Sequence, residues 1–101
     1  NTTTPAPVLV TMLDSGHVTD YLQLGRSLRK AGIATEVYPE AKNIGKQMKY
    51  ADKKGFKLAI IAGTDEFAAG IWQVKNLKTG TQSSIESADI ASHLLSELGM
   101  S

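Results

Sequence analysis

Cysteine is absent from all 101 residues of the sequence. This absence excludes disulfides, cysteine nucleophiles and zinc sites built on cysteine, and it is typical of a reducing compartment, so we expect a cytoplasmic location. The longest apolar run, LAII at residues 58–61 with its flanking small residues, is too short to span a membrane. The opening segment NTTTPAPVLV lacks the basic region and long apolar core of a signal peptide. We therefore interpret residues 1–7 as a linker and residues 8–101 as one domain.

An excess of one charge is also lacking. Lysine and arginine total 11 and aspartate and glutamate total 10, which gives a net charge of +1. This balance excludes a strong overall field that would attract nucleic acid. Six of the 11 basic residues nevertheless lie between Lys42 and Lys57. A local basic patch on a nearly neutral domain is therefore possible.

Hydrophobic periodicity predicts alternating strands and helices. Short apolar or β-branched runs bounded by Gly, Pro or Asp indicate strands, and apolar residues spaced three and four apart indicate helices. Buried strands joined by helices favour a parallel sheet, whereas the Thr79-Gly80 turn predicts a final antiparallel hairpin. We expect an α/β domain with a five-stranded mixed sheet flanked by three helices, in the order β-α-β-α-β-β-β-α. The predicted strands are 8–13, 34–38, 56–63, 70–77 and 82–85, and the predicted helices run from 17 to Gly32, over 42–54 and over about 87–98.

The segment DSGH, which runs from Asp14 to His17, follows the first predicted strand, where open α/β sheets usually bind ligands. Asp and Ser before a helix are also typical capping residues, and we favour that interpretation over catalysis. The sequence has no phosphate-binding glycine motif. His17 and His93 lack partners at metal-ligand spacing, so we predict neither a catalytic nor a metal site.

The helix predicted over residues 42–54 is amphipathic. Ile44, Met48 and Ala51 fall on one side at about 100° per residue and are predicted to pack inward. The opposite side carries a lysine stripe. Two interpretations, a solvated surface and contact with phosphates, are about equally favoured by the spacing. The members of the lysine stripe are Lys42, Lys46, Lys49 and Lys53.

Strand alternation places Trp72, Val74 and Asn76 on one face of the fourth strand, and Lys75 on the other. We favour a core position for Trp72, because tryptophan is highly buried on average; an exposed ring would instead serve as a base-stacking platform. The pair Asp65-Glu66 is predicted to lie in the loop after the third strand. Its carboxylates suit either solvation or hydrogen bonds from base amino groups.

Two long stretches, LRKAGIATEVYPE and IGKQMKYADKKGFKLAIIAGTDEFAAGIWQVKNLKTGTQ, resemble the anticodon-binding domain of class IIa aminoacyl-tRNA synthetases, and histidyl-tRNA synthetase most of all. The resemblance includes the Lys46-Gln47 pair, the Tyr50-Ala51-Asp52-Lys53 run and the Thr-Gly-x-Gln turn. It covers nearly the whole chain. It implies a five-stranded mixed sheet with three helices, in agreement with the order of elements above.

The resemblance also implies that the domain recognises the anticodon loop of a tRNA, in this case tRNA-His, while a separate catalytic domain charges it with ATP and Mg²⁺. This domain would then need no cofactor, would not be an enzyme by itself and would not bind a membrane. The lysine stripe would supply auxiliary phosphate contacts. The implied RNA-binding residues are Asp14, Asp65, Glu66, Trp72, Lys75 and Asn76.

Two other functions stay open. The same fold could serve in a non-synthetase protein, such as the synthetase-like region of an eIF2α kinase or a polymerase accessory subunit, and bind other RNA or a protein. A flavodoxin-like enzyme or signalling domain could use Asp14, Ser15 and His17. The predicted antiparallel strand around Trp72 argues against this last possibility.

Overall fold

A computed structural model describes residues 6–41 and 43–100, so most of the predicted linker, residues 1–5, and Lys42 of the lysine stripe lie outside the described residues. This part of the chain contains five strands and four α-helices, and short 3-10 turns precede the first and last helices. The strands are β1 (Val8–Val10), β2 (Thr35–Val37), β3 (Leu58–Ile61), β4 (Ile71–Asn76) and β5 (Gln82–Glu86). The helices are α1 (Val18–Lys30), α2 (Ile44–Lys54), α3 (Thr64–Ala69) and α4 (Ile90–Glu97).

The strands form one mixed sheet in the order β2-β1-β3-β4-β5. Strand β1 pairs in parallel with β2 and β3, because α1 and α2 cross over between these strands. Strand β4 is antiparallel to both β3 and β5. The turn before β5 contains Gly80 at a φ of +81°, a value that suits glycine. The predicted α/β class and five-stranded mixed sheet are confirmed.

The prediction of three helices was wrong by one, because the segment that contains Asp65 and Glu66 is helix α3 and not a loop. The Glu66 carboxylate accepts a hydrogen bond from the Gly63 N–H at 2.8 Å and caps the helix. Gly70, at a φ of +71°, ends it. A helix of six residues is too short to show a clear apolar period, so the pattern did not reveal it.

Helices cover the two faces of the sheet unequally. Helices α1 and α4 pack on the face that presents Val10, Ile60 and Val74, where they form the larger core cluster. Helix α2 packs on the other face through Ala51, against Leu9 and nearby Phe56. Beyond α2, the side chains of β4 and β5 on this second face are half-buried or exposed. This uneven cover leaves part of the sheet accessible.

The inward side of α2 is rotated from the prediction. Ala51 is buried as expected, but Ile44 is 37% exposed, and Gln47 is fully buried instead. The Gln47 carboxamide accepts from the Met12 N–H and donates to the Met12 carbonyl, both at 2.7 Å, so a polar residue anchors the helix to the segment that follows β1. Apolar spacing could not reveal an inward-facing glutamine.

At the start of the described residues, Ala6 and Pro7 pack on the domain although they fall in the predicted linker. Ala6 is 8% exposed, within the cluster beneath α2. The Pro7 carbonyl accepts from the N–H groups of Lys57 and Leu58 at 2.8 and 3.0 Å. Contacts with the sheet therefore begin before β1.

Candidate nucleic-acid interface

The uncovered part of the sheet is a surface of β3, β4 and β5 that we call the open face. In the strand register, Gln73 lies between Ile61 and Ser84, and Lys75 lies between Ala59 and Gln82. Residues in register share one face, and alternation adds Ile71 with its partner Glu86. The open face therefore comprises Ile61, Ile71, Gln73, Lys75, Gln82, Ser84 and Glu86.

The chemistry of the open face suits hydrogen bonding to planar groups. Gln73 and Gln82 each carry an amide that can both donate and accept, and Lys75 supplies a cation. The Ser84 hydroxyl donates to Gln73 Oε1 at 3.1 Å, which helps to orient that amide. Helix α2 lies on the same side of the sheet, since Leu9 beneath it shares a strand row with Lys75.

Of the lysine stripe, Lys46, Lys49 and Lys53 are exposed, which confirms their predicted orientation toward solvent. The helix that carries them begins with a cap: the Asn43 side chain accepts from the Lys46 N–H at 2.9 Å. It ends at Gly55. The described lysines therefore project from a capped helix anchored by Gln47 and flank the open face.

The predicted acidic residues lie at a different place, which we call the carboxyl edge: the ends of β1 and β3, with Asp14, Thr64, Asp65 and Glu66. Asp14 accepts from the Gly16 N–H at 2.8 Å and from the Thr64 hydroxyl at 3.1 Å. These two hydrogen bonds lower the pKa of Asp14, with a smaller contribution from nearby His17. Asp14 therefore acts as a cap, as favoured, but it caps the 3-10 turn Ser15–His17 and not α1 itself. Of the three carboxylate residues, only Asp65 is exposed, whereas Asp14 and Glu66 are half-buried.

His17 forms part of the same structure and shows no catalytic arrangement with Ser15. Its Nδ1 lies 2.8 Å from Asp20 Oδ2, and its ring stacks on Phe67 with centroids 4.0 Å apart. These contacts attach the turn before α1 to α3. They favour a structural role for the segment DSGH.

The predicted pair Lys75 and Asn76 is divided between the two faces. Asn76 faces α4, where its Nδ2 donates to Glu97 at 3.2 Å. Its Oδ1 accepts from the N–H groups of Lys78 and Thr79 at 2.9 and 3.0 Å and closes the hairpin turn. Asn76 is therefore occupied within the fold, whereas Lys75 belongs to the open face.

Trp72 lies in the core, as favoured, and does not form an exposed stacking platform. Its side chain is 6% exposed, and its ring packs edge-on against Phe67 and Tyr21, with centroids 5.4 and 6.2 Å apart. The indole N–H donates to Ser87 Oγ at 3.3 Å. The open face therefore has no aromatic member.

The structure does not bring the predicted site residues into one cluster. Lys75 pairs with Ala59 near the start of β3, whereas the carboxyl edge follows Ile61 at its end. Gln82 and Ser84 were missed because β5 is short and polar. Gln73 could have been found, since strand alternation places it on the same face as Lys75.

The fold and the surface define the class of this protein. It is a small α/β domain that has one half-covered sheet with a basic helix beside it. The family model described as "Anticodon binding domain" matches residues 7–97. The chain belongs to this anticodon binding domain family, which confirms the resemblance predicted from the sequence.

Proteins similar to this chain include histidine–tRNA ligases. The ligase of Rhodopirellula baltica is 53% identical over 87 residues, which cover 86% of this chain and 19% of that protein. The ligase of Dinoroseobacter shibae is 45% identical over 82 residues, covering 80% of this chain and 16% of that protein. The crystal structure of histidyl-tRNA synthetase from Nostoc sp. PCC 7120 matches with a TM-score of 0.90 and 35% identity, over 94% of this chain and 23% of that one.

The chain thus spans about a fifth of the length of the curated relatives it matches. Among the helices of the described residues, none has the length and apolar character needed to cross a membrane.

Proposed function

We propose that this domain binds the anticodon loop of tRNA-His through the open face, as part of a histidine–tRNA ligase. The observation that carries the proposal is the open face itself, a polar surface beside the lysine stripe in a member of the anticodon binding domain family. The catalytic part of such a ligase would lie outside this domain and would use ATP and Mg²⁺.

Anticodon loops suit a surface of this kind. Their unstacked bases expose hydrogen-bonding edges, which amide and ammonium side chains can contact. Because the open face has no aromatic ring, we assign base recognition to hydrogen bonds from Gln73, Lys75 and Gln82, with apolar contact from Ile61 and Ile71. Exposed Asp65 at the carboxyl edge stays a proposed contact for a base amino group. Asp14 and Glu66 contribute by holding that edge in place.

A titration with an anticodon stem–loop that carries either GUG or a changed anticodon tests the proposal. We expect Lys75→Ala and Gln73→Ala each to weaken GUG binding by about tenfold, the loss typical of one good base contact at about 1–3 kcal/mol. Lys30→Ala, at the end of α1 on the other side of the sheet, is the matched control and should bind normally. Full affinity in both open-face variants would exclude this surface as the binding site.

The relatives described above are ligases, which favours this function over a synthetase-like domain in a kinase or polymerase subunit. Equal affinity for GUG and changed anticodons would instead support such a general RNA-binding role. The cytoplasmic location stays a prediction, which fluorescence microscopy of a tagged full-length protein would test.

A further inference from the structure

A cavity of about 310 Å³ lies on the side of the sheet opposite the open face. It is bounded by α1, α3 and the turn before α4, and Trp72 of β4 contributes to its wall. Trp72 and Gln73 are neighbours on opposite faces of β4, so the cavity and the proposed RNA surface lie largely on opposite sides of the sheet, and they share Ile71 at the start of β4. Its volume is at the lower end of the range for small-ligand pockets.

The lining of this cavity combines the apolar side chains of Leu24, Ile71 and Ile90 with acidic, polar and aromatic ones. Asp20 and Glu66 supply two carboxylates, Gln23 and Ser27 supply neutral polar groups, and Phe67 and Trp72 supply aromatic rings. Among the described residues that line it, none is a lysine, arginine or histidine. Both carboxylates already have one partner: His17 Nδ1 lies 2.8 Å from Asp20 Oδ2, and the Gly63 N–H donates to Glu66 Oε1 at 2.8 Å. A bound cation would contact the carboxylates beside these two interactions.

This composition selects against phosphate and in favour of a cation. Two carboxylates near one apolar wall repel an RNA backbone and attract a positive group. A guanidinium fits best, because its planar donors match carboxylates and its face packs on aromatic rings. An ammonium lacks both the planar fork and the flat face.

We propose that this cavity binds an arginine side chain from the part of the parent protein outside this domain. The choice of this occupant rests on the proposed function. This chain covers 19% of the ligase from Rhodopirellula baltica, so about four-fifths of a ligase of that length would lie outside this domain. Charge complementarity with Asp20 and Glu66 selects the residue type. The cavity would thus hold the domain against its parent while the open face remains available for RNA.

Trp72 is the only tryptophan of the chain and lines the cavity, so its fluorescence reports binding directly. The probe is N-acetyl-arginine methylamide, and its neutral analogue N-acetyl-citrulline methylamide is the ligand control. We expect saturable changes in emission with the arginine probe and at least about tenfold weaker binding of the citrulline probe, since the neutral analogue loses its charge-assisted hydrogen bonds. Equal binding of the two probes would overturn the proposal.

Two variants place the site within the molecule. Asp20→Asn and Glu66→Gln should each weaken arginine binding several-fold, because each removes one charge; glutamine keeps an oxygen for the Gly63 N–H. Asp52→Asn on α2 is the matched control and should bind the probe normally. Unchanged probe binding in both Asp20→Asn and Glu66→Gln would also overturn the proposal.

The same samples separate this inference from the proposed function. Asp20→Asn should bind the anticodon stem–loop as the unmodified chain does, so either activity can fail alone. In the full-length protein, Asp20→Asn should speed proteolytic release of the domain relative to Asp52→Asn. Equal release rates, or dimers of the isolated chain that Asp20→Asn dissociates, would contradict an occupant from the parent protein.

Discussion

At the scale of single residues, Gln47 determines how α2 sits on the sheet. It is fully buried, and its amide completes hydrogen bonds to both the N–H and the carbonyl of Met12. Strand β1 ends at Val10, so Met12 lies beyond the ladder, and a side chain from α2 supplies hydrogen bonds that a neighbouring strand would otherwise make.

Replacement of this amide should therefore be costly. We expect Gln47→Leu to lower the free energy of unfolding by about 2–4 kcal/mol, because two buried backbone groups lose their partners at about 1–3 kcal/mol each. Urea unfolding monitored by circular dichroism measures the loss. Lys49→Leu, exposed on the same helix, should change stability by less than about 0.5 kcal/mol. A similar small effect for Gln47→Leu would show that water replaces the amide.

Tyr50 makes a pH-dependent contribution to the stability of the fold. Its hydroxyl donates to the Glu36 carboxylate, and this hydrogen bond, together with burial and the nearby negative charge, raises the pKa of Tyr50 to about 12 from 10.0. Because the folded-state pKa is the higher one, the stabilisation is complete below pH 10 and disappears as the pH rises toward 12.

The unfolding free energy should therefore fall between pH 10 and about 12 more steeply in the unmodified chain than in Tyr50→Phe. Urea titrations across this range give both slopes. Tyr21, whose pKa burial also raises, remains in both proteins and contributes equally to each. Equal slopes in the unmodified chain and in Tyr50→Phe would show that the hydrogen bond to Glu36 does not raise the pKa of Tyr50.

At the scale of elements, the sequence predicted the structure best where apolar patterns are long. The strands, α1 and α4 follow from periodicity, although the observed elements are mostly shorter. Helix α3 was missed because it depends on the Glu66 cap and on Gly70 rather than on a repeat. The inward side of α2 was predicted incorrectly because the buried residue Gln47 is polar. Val18 and Leu22 fit the apolar period of α1, yet they are 36% and 48% exposed.

The site was less predictable than the fold for a related reason. Lys75 could be placed on a face by alternation, but its neighbours Gln82 and Ser84 come from β5 through the hairpin register. Register between strands requires the turn geometry, which a single sequence indicates only weakly. The family motif in turn highlighted Asn76, whose contacts now explain it as a turn residue.

The packing of α1 on β2 depends on a close approach at Gly25. A Cβ atom there would lie 2.5 Å from Val37 Cγ2, well inside contact distance. Gly25→Ala should therefore destabilise the domain by about 1–3 kcal/mol, although alanine favours helix by about 1 kcal/mol.

Thermal unfolding of Gly25→Ala, Val37→Ala and the double variant measures this effect. Val37→Ala should cost less in the Gly25→Ala background than alone, because it relieves the clash. Additive effects would show that α1 moves away from β2 instead.

At the scale of the whole molecule, the positions of the charged residues matter more than the net charge. The net charge of +1 provides little long-range attraction. The described members of the lysine stripe lie on the same side of the sheet as the open face, whereas the acidic cavity lies on the opposite side. A nearly neutral domain can thus present a basic side to RNA and an acidic pocket to a protein partner.

This separation predicts how salt should act on RNA binding. If the lysine stripe contacts phosphates, the combined variant Lys46→Gln, Lys49→Gln and Lys53→Gln should reduce the slope of log affinity against log salt by about 2, at roughly 0.7 per contact. The ratio of affinities for GUG and changed anticodons should stay constant, because phosphate contacts carry no base information. Lys75→Ala should instead reduce that ratio. Stem–loop titrations at two or more salt concentrations measure both quantities, with Lys30→Gln as the control. An unchanged slope in the combined variant would leave the stripe as a solvated surface and place all RNA contact on the open face.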